Sequence, residues 1–252
     1  MKICHITSVH SRYDTRIFYK ECVSLAKAGY DVTFLVAERG KTKPEIRDGV
    51  SIAPVEFNPT NRIDRIINSP RVLLKKALET NAEIYHLHDP ELLPLARKLK
   101  KLGKKVIFDS HEDVGGQILG KEWIPSFLRP SVSHLYNVYS NRVLTEMDYL
   151  IGVTPNLTEK LRVINSNSET ITNFPVLDPD VSFVKETKTS YKKSFCFAGG
   201  ITEQWNHETI LTALEAIDAS YILMGRATEE YLLKLKNIRS WEKVTHHGVL
   251  PH

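Results

Sequence analysis

The chain has 252 residues, 42% of them hydrophobic and 25% charged, with 34 basic against 30 acidic side chains for a net charge of +4. That length can bury one large or two modest cores, and the mild, dispersed charge speaks against nucleic acid as a partner and against a disordered chain. Cys4, Cys22 and Cys196 show no paired spacing, so reduced thiols in a cytoplasmic protein are expected, with Cys4 and Cys196 buried inside apolar strands.

MKICHITSVH opens the chain as a strand, Lys2–Thr7, rather than a signal peptide, and no apolar run reaches membrane-spanning length. Ser8–Asp14 is the loop after it. Arg16–Ala28 reads as a helix capped by Thr15 and closed by Gly29. Asp31–Val36 is the second strand. This unit lacks Gly-x-Gly-x-x-Gly, which argues against a dinucleotide dehydrogenase. In its loop, SVHSRYD, the side chains of His10, Ser11, Arg12 and Asp14 are the groups able to touch a ligand. Arg16 in the first helical turn opposes the dipole, a cost that points to a held phosphate or carboxylate; a plain surface arginine is the alternative. Residues 37–49 are polar loop, Val50–Val55 a third strand, and Asn61–Glu79 a basic helix interrupted at Pro70.

Ile84–Leu87 is a short apolar strand ending in His88-Asp89-Pro90. Glu91–Lys101 is an amphipathic helix with Leu92, Leu95, Ala96, Leu99 and Leu102 inward, and Gly103 closes it. Val106–Phe108 is a further buried strand ending in Asp109-Ser110-His111-Glu112-Asp113. Two parallel strands thus carry His and carboxylate clusters to one sheet edge, the edge at which open α/β sheets bind ligands. Gly115-Gly116 suits a loop that moves over a ligand. Beyond it, Trp123, Ile124, Phe127, Leu128, Leu135, Tyr136 and Tyr139 are expected in the core; an acceptor pocket or a membrane contact are the other readings.

HLHDPELLPLA followed by FDSHED resembles the acceptor-side domain of family 4 glycosyltransferases, and the likeness runs along the whole chain. The family implies an α/β, GT-B-like architecture of two Rossmann-like domains facing across a cleft, and retaining transfer from a nucleotide sugar. By its place in the motif His111 is the catalytic residue. His10, Asp14, Arg16, His88, Asp89, Glu91 and Glu112 become candidate substrate-binding residues, with Glu112 or Asp113 orienting His111. The implied substrates are a nucleotide-sugar donor and a saccharide or lipid-linked acceptor, in cell-surface polysaccharide synthesis. A nucleotide-sugar 2-epimerase and a non-catalytic binding module are the competing classes. His-x-His-Asp with His-Glu-Asp would also suit a metal site with nitrogen and oxygen ligands. Family 4 chemistry leaves charge stabilisation to protein groups, so neither metal nor other cofactor is expected, and His86 is assigned to structure.

Asp148–Val153 is a strand, Pro155–Arg162 a helix and Glu169–Thr172 a strand. Domain one is therefore expected over 1–175, a linker over 176–190, and the first half of a second Rossmann-like domain over 191–252. There Ser194–Ala198 runs into Gly199-Gly200, Asn206–Ile217 is a helix with Asn206 or Thr202 near its cap, and Tyr221–Met224 ends in Gly225-Arg226. Gly199, Gly200, Gly225 and Arg226 are the candidate donor-binding residues, with His207 the remaining cation after the glycines. Family members carry a further nucleotide-sugar signature, two glutamates, beyond this point. The sequence therefore reads as an inactive fragment of a longer transferase, able to self-associate through an uncovered strand and to touch the inner membrane face.

Overall fold

The computed structural model describes residues 1–121, 123–175 and 193–250; the expected linker over 176–190 lies outside them. The chain divides into two compact units, Met1–Leu177 and Asp178–His252.

In the first unit, β1 (Lys2–Thr7) leads through a loop into a π-helix, Thr15–Cys22, which continues as α1 (Val23–Lys27). Then come β2 (Asp31–Glu38), β3 (Glu45–Arg47), β4 (Val50–Glu56), α2 (Arg62–Glu79), β5 (Ile84–Leu87), a short turn of 3-10 helix and α3 (Leu93–Lys101). The unit closes with β6 (Lys105–Ser110), α4 (Val114–Ile118), α5 (Arg129–Leu144), β7 (Tyr149–Gly152), α6 (Pro155–Ile164) and β8 (Ser168–Thr170). One sheet holds all eight strands in the order β3-β4-β2-β1-β5-β6-β7-β8, parallel except where β3 meets β4. The order reverses between β1 and β5, so their carboxyl ends flank a topological switch point, where ligands of open α/β sheets bind.

Strand alternation assigns the two faces. Cys4, Ile6, Tyr85 and Leu87 pack with Leu73 and Ala77 of α2, Leu95 and Leu99 of α3, and Val143 of α5. On the opposite side, Ile17, Phe18 and Cys22 of the π-helix cover Val32, Phe34, Val50 and Ile52. The sheet is therefore buried on both sides, as its continuous apolar strands require.

Several expectations are corrected. Asp14, not Thr15, caps the first helix, accepting from the amides of Arg16 and Ile17. Both Phe18 N and Tyr19 N donate to the Asp14 carbonyl, so the opening is π-type rather than α-helical. α2 runs through Pro70 without ending there. Leu102 stands at the end of α3, exposed, rather than on its inner face. Gly115 is no hinge. It is buried in α4 against α5, where a Cβ would lie 2.0 Å from Asn137 Oδ1, and its carbonyl accepts from Ser133 Oγ at 2.7 Å. Of the aromatic stripe, Ile124 is buried and Tyr136 half-buried, but Trp123, Phe127, Leu128, Leu135 and Tyr139 are exposed. α5 seats its other face, Val143 and Leu144, on the core, which leaves this stripe to solvent.

The second unit has β9 (Ser194–Ala198), α7 (His207–Glu215), β10 (Ser220–Met224), α8 (Glu229–Lys236) and β11 (Val244–Gly248), with parallel strands in the order β11-β10-β9. Its core is Ile201, Leu211, Leu214, Tyr221, Leu223, Tyr231 and Leu235. β9 is an edge strand with Phe195 and Cys196 exposed, so the expected burial of Cys196 does not hold; Cys4 and Cys22 are buried. α7 begins after Asn206 in the left-handed region, φ 51°, and has no side-chain cap.

Candidate active site

The carboxyl ends of β1, β5 and β6 converge at the switch point of the first unit. Asp109, at the end of β6, is fully buried and is its electrostatic hub. Arg16 Nε and Nη2 donate to its two oxygens at 2.9 and 3.0 Å, and Arg16 Nη1 donates to the Ile171 carbonyl at 2.8 Å. His111 Nε2 lies 3.2 Å from Asp109 Oδ2, and His88 Nδ1 lies 3.4 Å from the same oxygen. Burial alone would oppose ionisation of Asp109, yet His111, His88 and the neighbouring imidazoles hold its carboxyl well below the usual carboxylate range. An ionised Asp109 accepts from His111 Nε2, which fixes the orientation of the ring.

Asp109 therefore does the orienting work expected of Glu112 or Asp113. Glu112 is exposed and accepts from Gln117 Nε2 at 2.6 Å, while Asp113 caps α4 through the Gly116 amide and pairs with Lys160. Neither Asp109 nor Glu21 was singled out from the sequence. Arg16 is not a surface cation but a buried one, 5% exposed, compensated by Asp109 and standing 3.0 Å from Glu21 Oε1. Burial, then the charge of Asp109, pushes the Glu21 carboxyl up to about 9, with Arg16 opposing.

A second set of contacts knits the β1 loop to β5. Asp89 Oδ2 accepts from Thr7 Oγ1 at 2.7 Å, from the Ser8 amide at 2.5 Å and from Ser8 Oγ at 3.1 Å. Ser8 Oγ also donates to Glu91 Oε1, which pairs with Arg65 at 2.7 Å. His88 and Asp89 are thus interior groups that shape the edge, and Glu91 is nearly so. Of the candidate histidines, His10 and His111 reach the surface, with ring centroids 5.1 Å apart. His10 Nδ1 is 3.0 Å from Asp14 Oδ2, and Nε2 is 3.4 Å from Asp89 Oδ1. The hydrogen bond to Asp14 raises the His10 pKa, with burial opposing. Arg12, in contrast, is held by Glu38 and Glu45 away from this group. Beside Ser8 opens a cavity of about 310 Å³ lined by Val9, Ala37, Arg39, Phe57, Asn61, Arg62 and Arg65.

In the second unit, Gly199 and Gly225 cross at the carboxyl ends of β9 and β10. Gly225 sits at φ 141°, where an added Cβ would lie 1.7 Å from the Gly199 carbonyl oxygen. The Arg226 carbonyl accepts from the Ile201 amide at 2.9 Å, and Gly200 has open space where a Cβ would be. His207 is fully buried with Nδ1 3.0 Å from the Tyr221 hydroxyl, and burial lowers its pKa, so it is a core residue and not an exposed cation.

These features, an α/β switch point loaded with His and carboxylate groups and a second parallel sheet with glycines at its strand ends, define a GT-B-type glycosyltransferase. The Glycosyltransferase Family 4 profile matches residues 15–174, and the chain belongs to that family. No curated protein matches it by sequence. Its fold is similar to that of sucrose-phosphate synthase from Thermosynechococcus elongatus, with a TM-score of 0.67 at 14% identity over 100% of this chain and 71% of that one. WaaG, a glycosyltransferase involved in lipopolysaccharide biosynthesis, gives 0.66 at 9% identity over 99% and 70%. Anabaena HepE, in complex with UDP and glucose, gives 0.63 at 12% identity over 100% and 70%. At these identities the likeness is one of fold.

Proposed function

We propose that this glycosyltransferase moves a hexosyl group, with retention at the anomeric carbon, from a nucleotide sugar to a saccharide or lipid-linked acceptor. The observation that carries the reading is the Asp109–His111 pair at the switch point, a buried anion fixing a surface imidazole. His111 would meet the transferring sugar, stabilise developing charge and position the acceptor hydroxyl; no carboxylate nucleophile is invoked, so the contribution is orientation and electrostatics. His10 and Asp14 complete the surface of that site, while Arg16, His88, Asp89 and Glu91 hold it in shape from below. Gly199, Gly200, Gly225 and Arg226 are assigned to the donor diphosphate; the Gly199 and Gly225 amides donate to the Met224 and Gly248 carbonyls, so those glycines let the chain approach closely while the Gly200 amide and the Arg226 guanidinium donate. Transfer uses no metal at the diphosphate, so adding or withdrawing magnesium or manganese should leave the rate unchanged.

The acceptor is assigned to the cavity beside Ser8. Arg39 and Arg62 carry no carboxylate partner among the described ion pairs, which favours an acceptor bearing phosphate or carboxylate. Trp123, Phe127 and Leu128 are exposed, and the Arg62 guanidinium lies 5.1 Å from the Trp123 ring centroid. Apolar groups beside cations suit contact with an anionic membrane face that carries the acceptor, and no helix among the described residues is long and apolar enough to cross it. Vesicles of phosphatidylglycerol should retain the protein in flotation, and Trp123→Ser with Phe127→Ser should release it; equal retention rejects the membrane contact. The outer edge of β9, unpaired among the described residues, supports self-association, which light scattering showing only monomer would reject.

The central test is turnover. Nucleotide sugars should raise the melting temperature where oligosaccharides alone do not, and the product of the active donor should keep its anomeric configuration by NMR. An inverted product removes retention. Absence of both a thermal shift and a product with every common nucleotide sugar removes the donor assignment.

A further inference from the structure

The sheet face beneath the π-helix carries a polar layer that the proposed transfer does not use. His5 and His86 are register partners on β1 and β5, and His88 follows His86 on the same side. Glu21 descends on them from the π-helix, beside Arg16. The three imidazoles are at most 6% exposed. Glu21 Oε2 lies 3.8 Å from both His5 Nδ1 and His88 Nε2, and those nitrogens are 3.0 Å apart. The point equidistant from these atoms is about 2.1 Å from each, a zinc–imidazole and zinc–carboxylate bond length. The His86 ring centroid lies 4.5 Å from those of both His5 and His88, and one ligand atom from each of the four residues falls within 4.8 Å of the others.

Atoms in this layer lack the partners that buried polar groups normally have. His86 Nε2, His5 Nε2 and Glu21 Oε2 have no hydrogen bond among the described residues. Around them stand the outer groups that metal sites use. His88 turns Nδ1 toward Asp109 at 3.4 Å, the carboxylate–histidine arrangement that orients a ligating imidazole, and Arg16 stands 3.0 Å from Glu21 Oε1. Burial keeps the imidazoles in the neutral form that binds metal.

We propose that His5, His86, His88 and Glu21 form a closed structural site for a divalent transition metal of the zinc class. Four nitrogen and oxygen ligands with no open position suit tetrahedral zinc and leave no place for a reactive water. The ion replaces the His5–His88 hydrogen bond. The ion would pin β1 and β5, the strands on either side of the switch point, to the helix that carries Arg16. It takes no part in transfer, and the site stands or falls independently of the sugar chemistry.

The untagged 252-residue chain, purified without added metal, is measured for bound zinc, then stripped and titrated with cobalt(II). One ion per chain, intense visible bands of tetrahedral cobalt and a melting temperature several degrees higher with metal are expected. Glu21→Gln and His86→Gln should lose the cobalt bands, while His10→Gln and His111→Gln keep them. Bands lost in His111→Gln but kept in His86→Gln would move the ion to His88, Asp109 and His111 and overturn the assignment. If the ligand variants do not fold, X-ray absorption of the zinc-loaded wild type decides. Three imidazoles in a shell at about 2.0 Å support the site. A six-coordinate, water-rich or sulfur-containing shell overturns it, as does protein that neither retains nor takes up an ion.

Discussion

Arg16 and Asp109, 93 positions apart in sequence, form a two-pronged ion pair with both side chains shielded from water. The pair ties the helix after β1 to the end of β6, and the third prong of the guanidinium reaches the Ile171 carbonyl just past β8. It also explains a cation in the first turn of a helix, where the dipole disfavours one. Asp109 supplies the compensating charge, and its remaining lone pairs serve His111 and His88.

Breaking this pair should be costly. Arg16→Met leaves the buried Asp109 without its guanidinium partner and with imidazoles alone, and removing one partner of a buried pair typically costs about 3–5 kcal/mol. Arg16→Lys should recover only part of that, because an ammonium cannot make the fork. Urea denaturation of the three proteins measures it. A loss for Arg16→Met near that of an exposed substitution would show that the pair does not hold these elements together.

The neighbouring pair, His10 and Asp14, gives a pH signature. Burial opposes ionisation of Asp14, but the His10 hydrogen bond and the Arg16 and Ile17 amides bring its carboxyl down to about 2 from an ordinary 3.8. Because the folded value is lower, its stabilisation is present above the ordinary value and is lost as pH falls toward 2. His10 is raised, so its contribution is present below the ordinary 6.5 and is lost as pH rises through the folded value. Asp14→Ala should therefore cost most between about pH 4 and 6.5, on the order of 1 kcal/mol for the cap alone. Denaturation midpoints across pH measure it, and a difference between wild type and variant that is flat from acid to neutral pH would refute the assignment.

The parallel sheet was legible because each of its buried strands is a short apolar run ending in a polar cluster, and the chain alternates these with helices. The clusters after β5 and β6 were legible for the same reason. What the sequence hid was depth. Asp109 stands in the same motif as His111 and Asp113, but only the sheet register shows which of the acids lies inside. Glu21 reads as a solvated helical acid, since eight residues of π-helix leave no distinct period to mark its inward turn. His5 lies in a strand that reads as wholly apolar, and its equivalence to His86 appears only once β1 and β5 are aligned. His207 failed in the opposite direction. It follows the glycines as a phosphate-binding cation would, yet tertiary packing takes it into the core against Tyr221.

The two glycine positions of the second unit should respond differently. Gly225→Ala combines φ 141° with a Cβ 1.7 Å from the Gly199 carbonyl oxygen, so strand ends must separate. A loss of about 2 kcal/mol or more is expected, with faster amide exchange across β9 and β10. Gly200→Ala meets nothing within 4 Å and should leave stability within about 0.5 kcal/mol. Equal effects at both positions would mean that the strand ends do not cross as described.

His111 separates catalysis from folding. Its side chain is 18% exposed, and Asp109 is the hydrogen-bond partner the structure gives it. Removing it leaves Asp109 still paired with Arg16, so His111→Ala should shift the melting temperature little. If its imidazole stabilises charge that develops during transfer, kcat should fall by roughly 10²–10³-fold while the donor KM changes far less. Steady-state kinetics on both proteins provide the comparison. Near-native turnover in His111→Ala would remove this residue from the mechanism, and a loss confined to KM would make it a binding residue only.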